Sequence, residues 1–146
     1  ETRIMDVCTR LDDTIALTAL LMCILRMLYR LRTRNQRWRL YTPMLIRENR
    51  WRAMRYSFDE GLIDLAKGEV VPFEQLISEL CSWITEDAKA LGCEKEIKGS
   101  HNILSRGTSA HRQLKGYELE RASGASTEDS LKSVVDTLIA DTAEGL

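Results

Sequence analysis

Hydrophobic positions recur at helical spacing along most of this chain, and one uncharged run near its start marks the element around which the others are expected to pack. From Asp12 or Asp13, either of which suits a helix N-terminus, residues 14–25 carry no charge. A helix apolar on every side is predicted to be buried at the centre of the fold. The run is too short to cross a bilayer, which takes about 20 apolar residues. Arg26, Arg30, Arg32 and Arg34 follow at once, where cations complement a helix C-terminus. An interfacial membrane helix is the sharper alternative, and Thr14, Thr18 and the missing lysines speak against it.

The second half repeats the helical pattern with clear punctuation. Phe73, Leu76, Ile77, Leu80, Ile84, Ala88 and Leu91 trace one amphipathic helix that starts after Pro72 and stops at Gly92. Residues 93–106, with Ile97, Ile103 and Leu104, form a weaker helix ended by Gly107. Thr108 or Ser109 can cap a third, whose Leu114 and Tyr117 face inward until Ser123 and Gly124 break it. Ser126, Glu128 and Asp129 open the last, with Leu131, Val134, Val135, Leu138 and Ile139 in strict helical register.

Between the halves, residues 35–42 read as a loop carrying Trp38, Arg39 and Tyr41, and Pro43 opens a helix that Asp59-Glu60-Gly61 ends. Residues 62–71 fit an irregular hairpin turning near Lys67-Gly68, or an ordered loop over a basic site. Residues 1–6 alternate polar and apolar side chains as a short strand does. The fold class that follows is mainly α: five to six helices around a buried apolar helix, with a short N-terminal strand and a hairpin. Residues 1–146 are expected to form a single helical portion, with a strand at 1–10, central and arginine-rich helices at 11–58 and a helical scaffold at 59–146. An unpaired edge on the first strand would favour self-association, so a homo-oligomer is left open.

Composition narrows the class. With 146 residues, 44% hydrophobic and 29% charged, the chain can bury a core, which excludes global disorder. The net charge of −1 conceals an asymmetry: residues 1–60 hold 12 arginines, no lysine and 7 acidic residues, and the rest of the chain is acidic. Cys8, Cys23, Cys81 and Cys93 lie far apart, with no Cys-x-x-Cys pair and no cysteine pair near His101 or His111. That spacing argues against a structural zinc site and fits reduced, buried thiols in a cytoplasmic protein. The histidines read as surface or capping residues. The chain opens on Glu1 inside the strand pattern, as a piece of a longer protein would.

The chemistry concentrates in Glu48-Asn49-Arg50-Trp51-Arg52-Ala53-Met54-Arg55-Tyr56. At 100° per residue, Glu48, Arg52 and Arg55 share one face and Trp51, Met54 and Phe58 another. Such a face suits carboxylate or phosphate oxygens, which the planar guanidinium binds bidentately. It equally suits a solvated helix with a Glu48–Arg52 pair. On the first strand Glu1 and Arg3 share a face about 6–7 Å apart, which fits a cation-and-anion site or an ordinary ion pair. Arginine is dense over residues 26–55, where Trp38, Tyr41, Trp51 and Tyr56 interleave with it, and this supports an alternative as a nucleic-acid-binding or protein-interaction module without catalysis.

Taken together, residues 1–8, the Asp12-Asp13 helix start, the 48–56 stretch, and Arg106-Gly107-Thr108-Ser109-Ala110 with Arg112-Gln113 resemble the C-terminal part of the type 2 glutamate–cysteine ligases, or carboxylate–amine ligases. The resemblance implies the back part of an α+β, glutamine-synthetase-like fold, whose preceding portion supplies most of the sheet and much of the nucleotide site. It implies an ATP-dependent ligase that joins a carboxylate, typically the glutamate side chain, to an amine such as cysteine through an acyl phosphate. ATP and Mg2+ are the implied cofactors, and amino acids the implied substrates. By the same resemblance Glu1 is a magnesium ligand, Arg3 stabilises the transferring phosphoryl group, and Asn49, Arg52 and Arg55 face the substrate. Neither a membrane nor a nucleic acid is an expected partner, and this chain alone is expected to lack turnover. Ser57 stands where the resemblance calls for glycine.

Overall fold

A computed structural model describes residues 7–144. The predicted strand at 1–6, with Glu1 and Arg3, lies outside the described residues. Seven helical segments and one hairpin make up the described chain: α1 (Leu11–Thr33), α2 (Pro43–Tyr56), β1 (Leu62–Asp64), β2 (Glu69–Val71), α3 (Phe73–Trp83), α4 (Thr85–Leu91), α5 (Glu94–Arg106), α6 (Ser109–Ala122) and α7 (Thr127–Ala143). The helical class is as the periodicity predicts. The expected helix over 73–91 is interrupted at Ile84, so α3 and α4 stand where one helix was read. Described residues group into two compact units, one of residues 7–18 and 98–144, the other of residues 19–97.

In the unit of residues 19–97 the core is a stripe of α1 set against the α3–α4 break. Ala19, Cys23 and Met27 follow one another at i, i+4, i+8 and meet Ile84, Ala88 and Ile97. Ile84, at φ −94° and ψ 5°, leaves helical geometry and is fully buried. Its N–H still reaches Leu80 O at 3.2 Å and its carbonyl accepts from Ala88 N–H at 2.8 Å, so the break strands neither group. Burial raises the Cys23 thiol to a pKa of about 12, helped by Cys93 with its sulfur 3.4 Å away, which keeps Cys23 an inert thiol.

The centre differs from expectation in one respect. Helix α1 is longer than the uncharged run, continuing through the arginines to Thr33, and by length and composition it is apolar enough to cross a membrane. Within the unit of residues 19–97 only its core stripe is buried; Met22, Leu25 and Tyr29 are exposed. An all-apolar helix buries only the sides against which other elements lie.

The hairpin forms where predicted. Leu62 pairs with Val71, Ile63 with Val70 and Asp64 with Glu69 in antiparallel register. Asp64 Oδ1 accepts from the N–H groups of Ala66 (2.8 Å) and Lys67 (3.3 Å), which shapes the turn. Ser57, at the C-terminus of α2, has φ 54° and ψ −120°, a backbone conformation open to glycine and strained for serine. Replacing Ser57 by glycine is therefore expected to stabilise the protein by about 1 kcal/mol in urea denaturation.

In the other unit, Thr108 and His111 form a reciprocal cap at the start of α6. The Thr108 N–H donates to His111 Nδ1 (3.1 Å), and Thr108 Oγ1 accepts from the His111 N–H (3.4 Å). Arg112 gathers the motif around it, donating to Gly107 O at 3.0 Å and to Asp141 at 2.7 Å. Of the apolar residues expected to face inward here, Leu114, Leu131, Val135 and Ile139 are instead exposed. The α6–α7 hairpin half-buries Tyr117, Val134 and Leu138 and leaves the neighbouring positions open.

Candidate functional site

Helix α2 carries the arginine face and has no buried residue, so polar contacts hold it in place rather than a core. Asn49 is the clasp. Its Nδ2 donates to Ile63 O at 2.8 Å and its Oδ1 accepts from Ile63 N–H at 2.7 Å, so the amide completes the backbone pairing of β1. Arg52 Nε donates to Gly61 O (3.2 Å) and its Nη2 to Glu60 O (2.8 Å), which fixes the turn between α2 and β1. The Glu48–Arg52 pair that the spacing allows does not form among the described residues, because Arg52 reaches these two successive carbonyls instead. Arg55 is exposed and has no hydrogen-bond or ion-pair partner among the described residues. Of the three predicted substrate-binding residues, Asn49 thus bonds to backbone through its Nδ2 and Oδ1 and Arg52 through its Nε and Nη2, whereas Arg55 has no partner among the described residues.

Helix α4 supplies a residue that the sequence reading missed. Asp87 is fully buried. Arg30 grips it with two bonds, Nε to Oδ1 at 3.2 Å and Nη2 to Oδ2 at 2.7 Å, and Arg26 Nη1 adds a third to Oδ1 at 2.6 Å. The Arg30 guanidinium, opposed by burial and reinforced by Arg26, holds the Asp87 carboxyl below the usual carboxylate range. The signal was present in the pattern: Asp87 falls three residues after Ile84 on the apolar face of the 73–91 period, facing an Arg26/Arg30 pair spaced i, i+4. Two arginines that gave the region its basic character thus share one buried carboxylate.

The loop at 35–42 and the hairpin turn border an open hollow of about 900 Å³. Trp38 is half-buried against the core cluster and meets Trp83 edge-on, with ring centroids 5.0 Å apart and planes at 60°. Arg37 and Arg39 flank Trp38 in sequence, line the hollow, and have no hydrogen-bond or ion-pair partner among the described residues. Lys67, also in the lining, is paired with Asp64 at 3.2 Å. The Ala66 N–H, opposed by burial and reinforced by the side chain and N–H of Lys67, holds the Asp64 carboxyl below its usual range. Chemically the arrangement offers an anion two free guanidinium groups beside a fixed aromatic surface. Among the described residues no three His, Cys, Asp or Glu side chains gather as a metal-binding set. The predicted magnesium ligand Glu1 and the predicted catalytic Arg3 lie outside the described residues.

Residues 1–137 match the sequence profile of glutamate–cysteine ligase family 2. The chain belongs to this family. A protein of Rhodospirillum rubrum named "Putative glutamate--cysteine ligase 2" is 55% identical over 146 residues, covering 100% of this chain and 38% of the relative. Proteins of the same name from Jannaschia sp. and Sorangium cellulosum are 49% and 44% identical, covering 97% and 100% of this chain and 37% of each relative. The chain therefore spans little more than a third of the length of these relatives and corresponds to their C-terminal part. No solved structure matches it. Membership in glutamate–cysteine ligase family 2 bears out the resemblance drawn from the 48–56 and 106–113 stretches.

Proposed function

We propose that the protein carrying this chain is an ATP-dependent carboxylate–amine ligase that joins the side-chain carboxylate of glutamate to an amine such as that of cysteine through an acyl phosphate. The observation that supports this reading most is the family match over residues 1–137, together with relatives named as ligases of these two amino acids. Bound Mg-ATP would supply the phosphoryl group that activates the carboxylate. Glu1 is the proposed metal ligand, because magnesium takes one or two carboxylates in addition to nucleotide phosphates. Arg3 is the proposed cation for charge developing on the transferring group.

For the described residues we propose a division of labour. Arg55, whose guanidinium has no partner among the described residues, is the proposed substrate-binding residue of α2. Asn49 and Arg52 act as positioning residues that hold α2, and with it Arg55, against β1 and the preceding turn. The Asp87 clamp fixes the C-terminal part of α1 against α4. The test is product analysis on the full-length protein with Mg-ATP, glutamate and cysteine. A γ-glutamyl amide formed in step with ADP is the expected result; a folded protein that forms no amide with any of a panel of amines would refute the reading.

A further inference from the structure

We infer that the 106–113 stretch serves the reaction through the opening segment of the chain: Arg112, Ser109 and Asp141 are positioning residues that set Thr9 and Arg10, and through them the proposed Glu1 and Arg3. This deepens the ligase reading and rests on it. Thr9 lies at the centre of the contacts. Its hydroxyl donates to Ser109 Oγ at 3.3 Å and accepts from Arg112 Nη2 at 3.3 Å. Ser109 Oγ takes a second bond from Gln113 Nε2 at 3.0 Å, which fills both of its acceptor positions. Arg112 Nη2 also donates to Asp141 Oδ2 at 2.7 Å and its Nη1 to Gly107 O at 3.0 Å, so one planar group joins Thr9, the turn before α6 and helix α7. Asp141 in turn holds Arg10 at 3.4 Å, Glu144 pairs with Arg10, and Arg106 pairs with Asp13.

Charge decides between a clamp and a ligand site. Among the described residues three guanidinium groups of this cluster, those of Arg10, Arg106 and Arg112, meet three carboxylates, those of Asp13, Asp141 and Glu144. The cluster is balanced and closes on itself, so it offers a substrate anion no unpaired cation. The Arg10, Asp141 and Arg112 side chains are 14%, 15% and 17% exposed, too little for salt to screen these pairs strongly. What the clamp holds gives it a bearing on the reaction. Arg3 precedes Thr9 by six residues, at most about 22 Å of extended chain. Phosphoryl transfer depends on positioning and on cations at the developing charge. A misplacement of about 1 Å can lower such a rate by on the order of a hundredfold. Loosening Thr9 and Arg10 is therefore expected to act on the step served by Glu1 and Arg3 and not on the binding of substrate by Arg55.

The test uses the full-length protein with Arg112→Met, Arg112→Lys and Thr9→Val beside wild type, and with Ile84→Val as a loss of core packing in the other unit. Amide formation gives kcat, KM for glutamate and the Mg2+ concentration at half-maximal rate. Hydrogen exchange read by mass spectrometry follows the peptide that carries Thr9 and Arg10, whether or not the protein turns over. In Arg112→Met, kcat is expected to fall at least about tenfold and half-saturating Mg2+ to rise at least about fivefold, with KM for glutamate within about twofold of wild type. Thr9→Val, which leaves the ion pairs in place, should shift kcat and Mg2+ the same way by about threefold. Arg112→Lys should resemble Arg112→Met, because an ammonium cannot span Gly107, Thr9 and Asp141 at once. The Thr9 peptide should exchange faster in all three variants with the α5 peptides unchanged, and Ile84→Val should leave kcat, Mg2+ dependence and this peptide as in wild type. The inference is overturned by wild-type kcat and Mg2+ dependence in folded Arg112→Met or Thr9→Val, by full activity in Arg112→Lys, or by exchange that quickens alike in every peptide. Amide formation by wild type and variants alike removes this inference and keeps the ligase reading; a folded wild type that forms no amide removes both.

Discussion

Asp87→Ala is expected to lower the stability of the protein by about 2–4 kcal/mol, somewhat under the cost of breaking a fully buried ion pair because its arginines are partly hydrated. Asp87 is fully buried, whereas the Arg26 and Arg30 side chains are 36% and 18% exposed. Removal of the carboxylate leaves Arg30 with Glu86 alone among the described residues, at 3.3 Å and itself largely exposed. Urea denaturation of the variant beside wild type measures the loss, and an unchanged midpoint would show that the clamp contributes nothing. The pH dependence follows from the direction of the shift. The folded-state pKa of Asp87 is lowered, so its contribution is complete above the unfolded carboxylate value near ~4 and declines as pH falls through the lower folded value. In Asp87→Ala that part of the acid-side slope should be missing.

Gly61→Ala is expected to destabilise by about 3 kcal/mol, since it combines a disfavoured backbone conformation with overlap on the hairpin. Gly61 has φ 67°, and an added Cβ would lie 2.3 Å from the Val71 carbonyl oxygen and 2.9 Å from its carbon. Neither is the end of a flexible side chain that could swing away; both belong to the strand paired with β1. The turn carbonyl that Arg52 holds is that of Gly61, so the overlap acts on the contact that seats α2. Gly68 is the control: its φ is 76° but nothing lies within 4 Å of an added Cβ. Gly68→Ala should cost only about 1 kcal/mol, the conformational part alone. Equal losses at the two positions in thermal or urea unfolding would mean that the close approach at Gly61 is absent.

The helices were legible because their signals are local. Gly92 at φ 68° and Gly107 at φ 86° end helices where the pattern placed stops, and Ser126 accepts from Asp129 N–H at 3.1 Å as its position before the last apolar run suggests. Burial was less legible, since it depends on what lies opposite. Periodicity places Leu131, Val135 and Ile139 on one face of α7 but does not say that this face is left open. The site divides in the same way. The arginine stretch was visible as composition, and the family resemblance located it. That Asn49 and Arg52 would bond to backbone at Ile63, Gly61 and Glu60 depends on a turn that brings the hairpin back onto α2. Asp87 escaped notice because a single acid in a helix with exposed acidic neighbours reads as surface until Arg26 and Arg30 are seen beside it. The hollow combines Trp38 with Trp83, 45 positions apart, and no local pattern announces that pairing.

The central claim is that this chain supplies acting residues to a carboxylate–amine ligase, and the most direct test is a coupled ADP-release assay on the full-length protein with Mg-ATP, glutamate and a panel of amines including cysteine. Amine-dependent release in the wild type, abolished in Glu1→Gln and Arg3→Ala and reduced at least tenfold in Arg55→Ala with the unfolding midpoint unchanged, is the predicted result. Release that persists in all three variants, or that no amine elicits from a folded protein, would contradict the account.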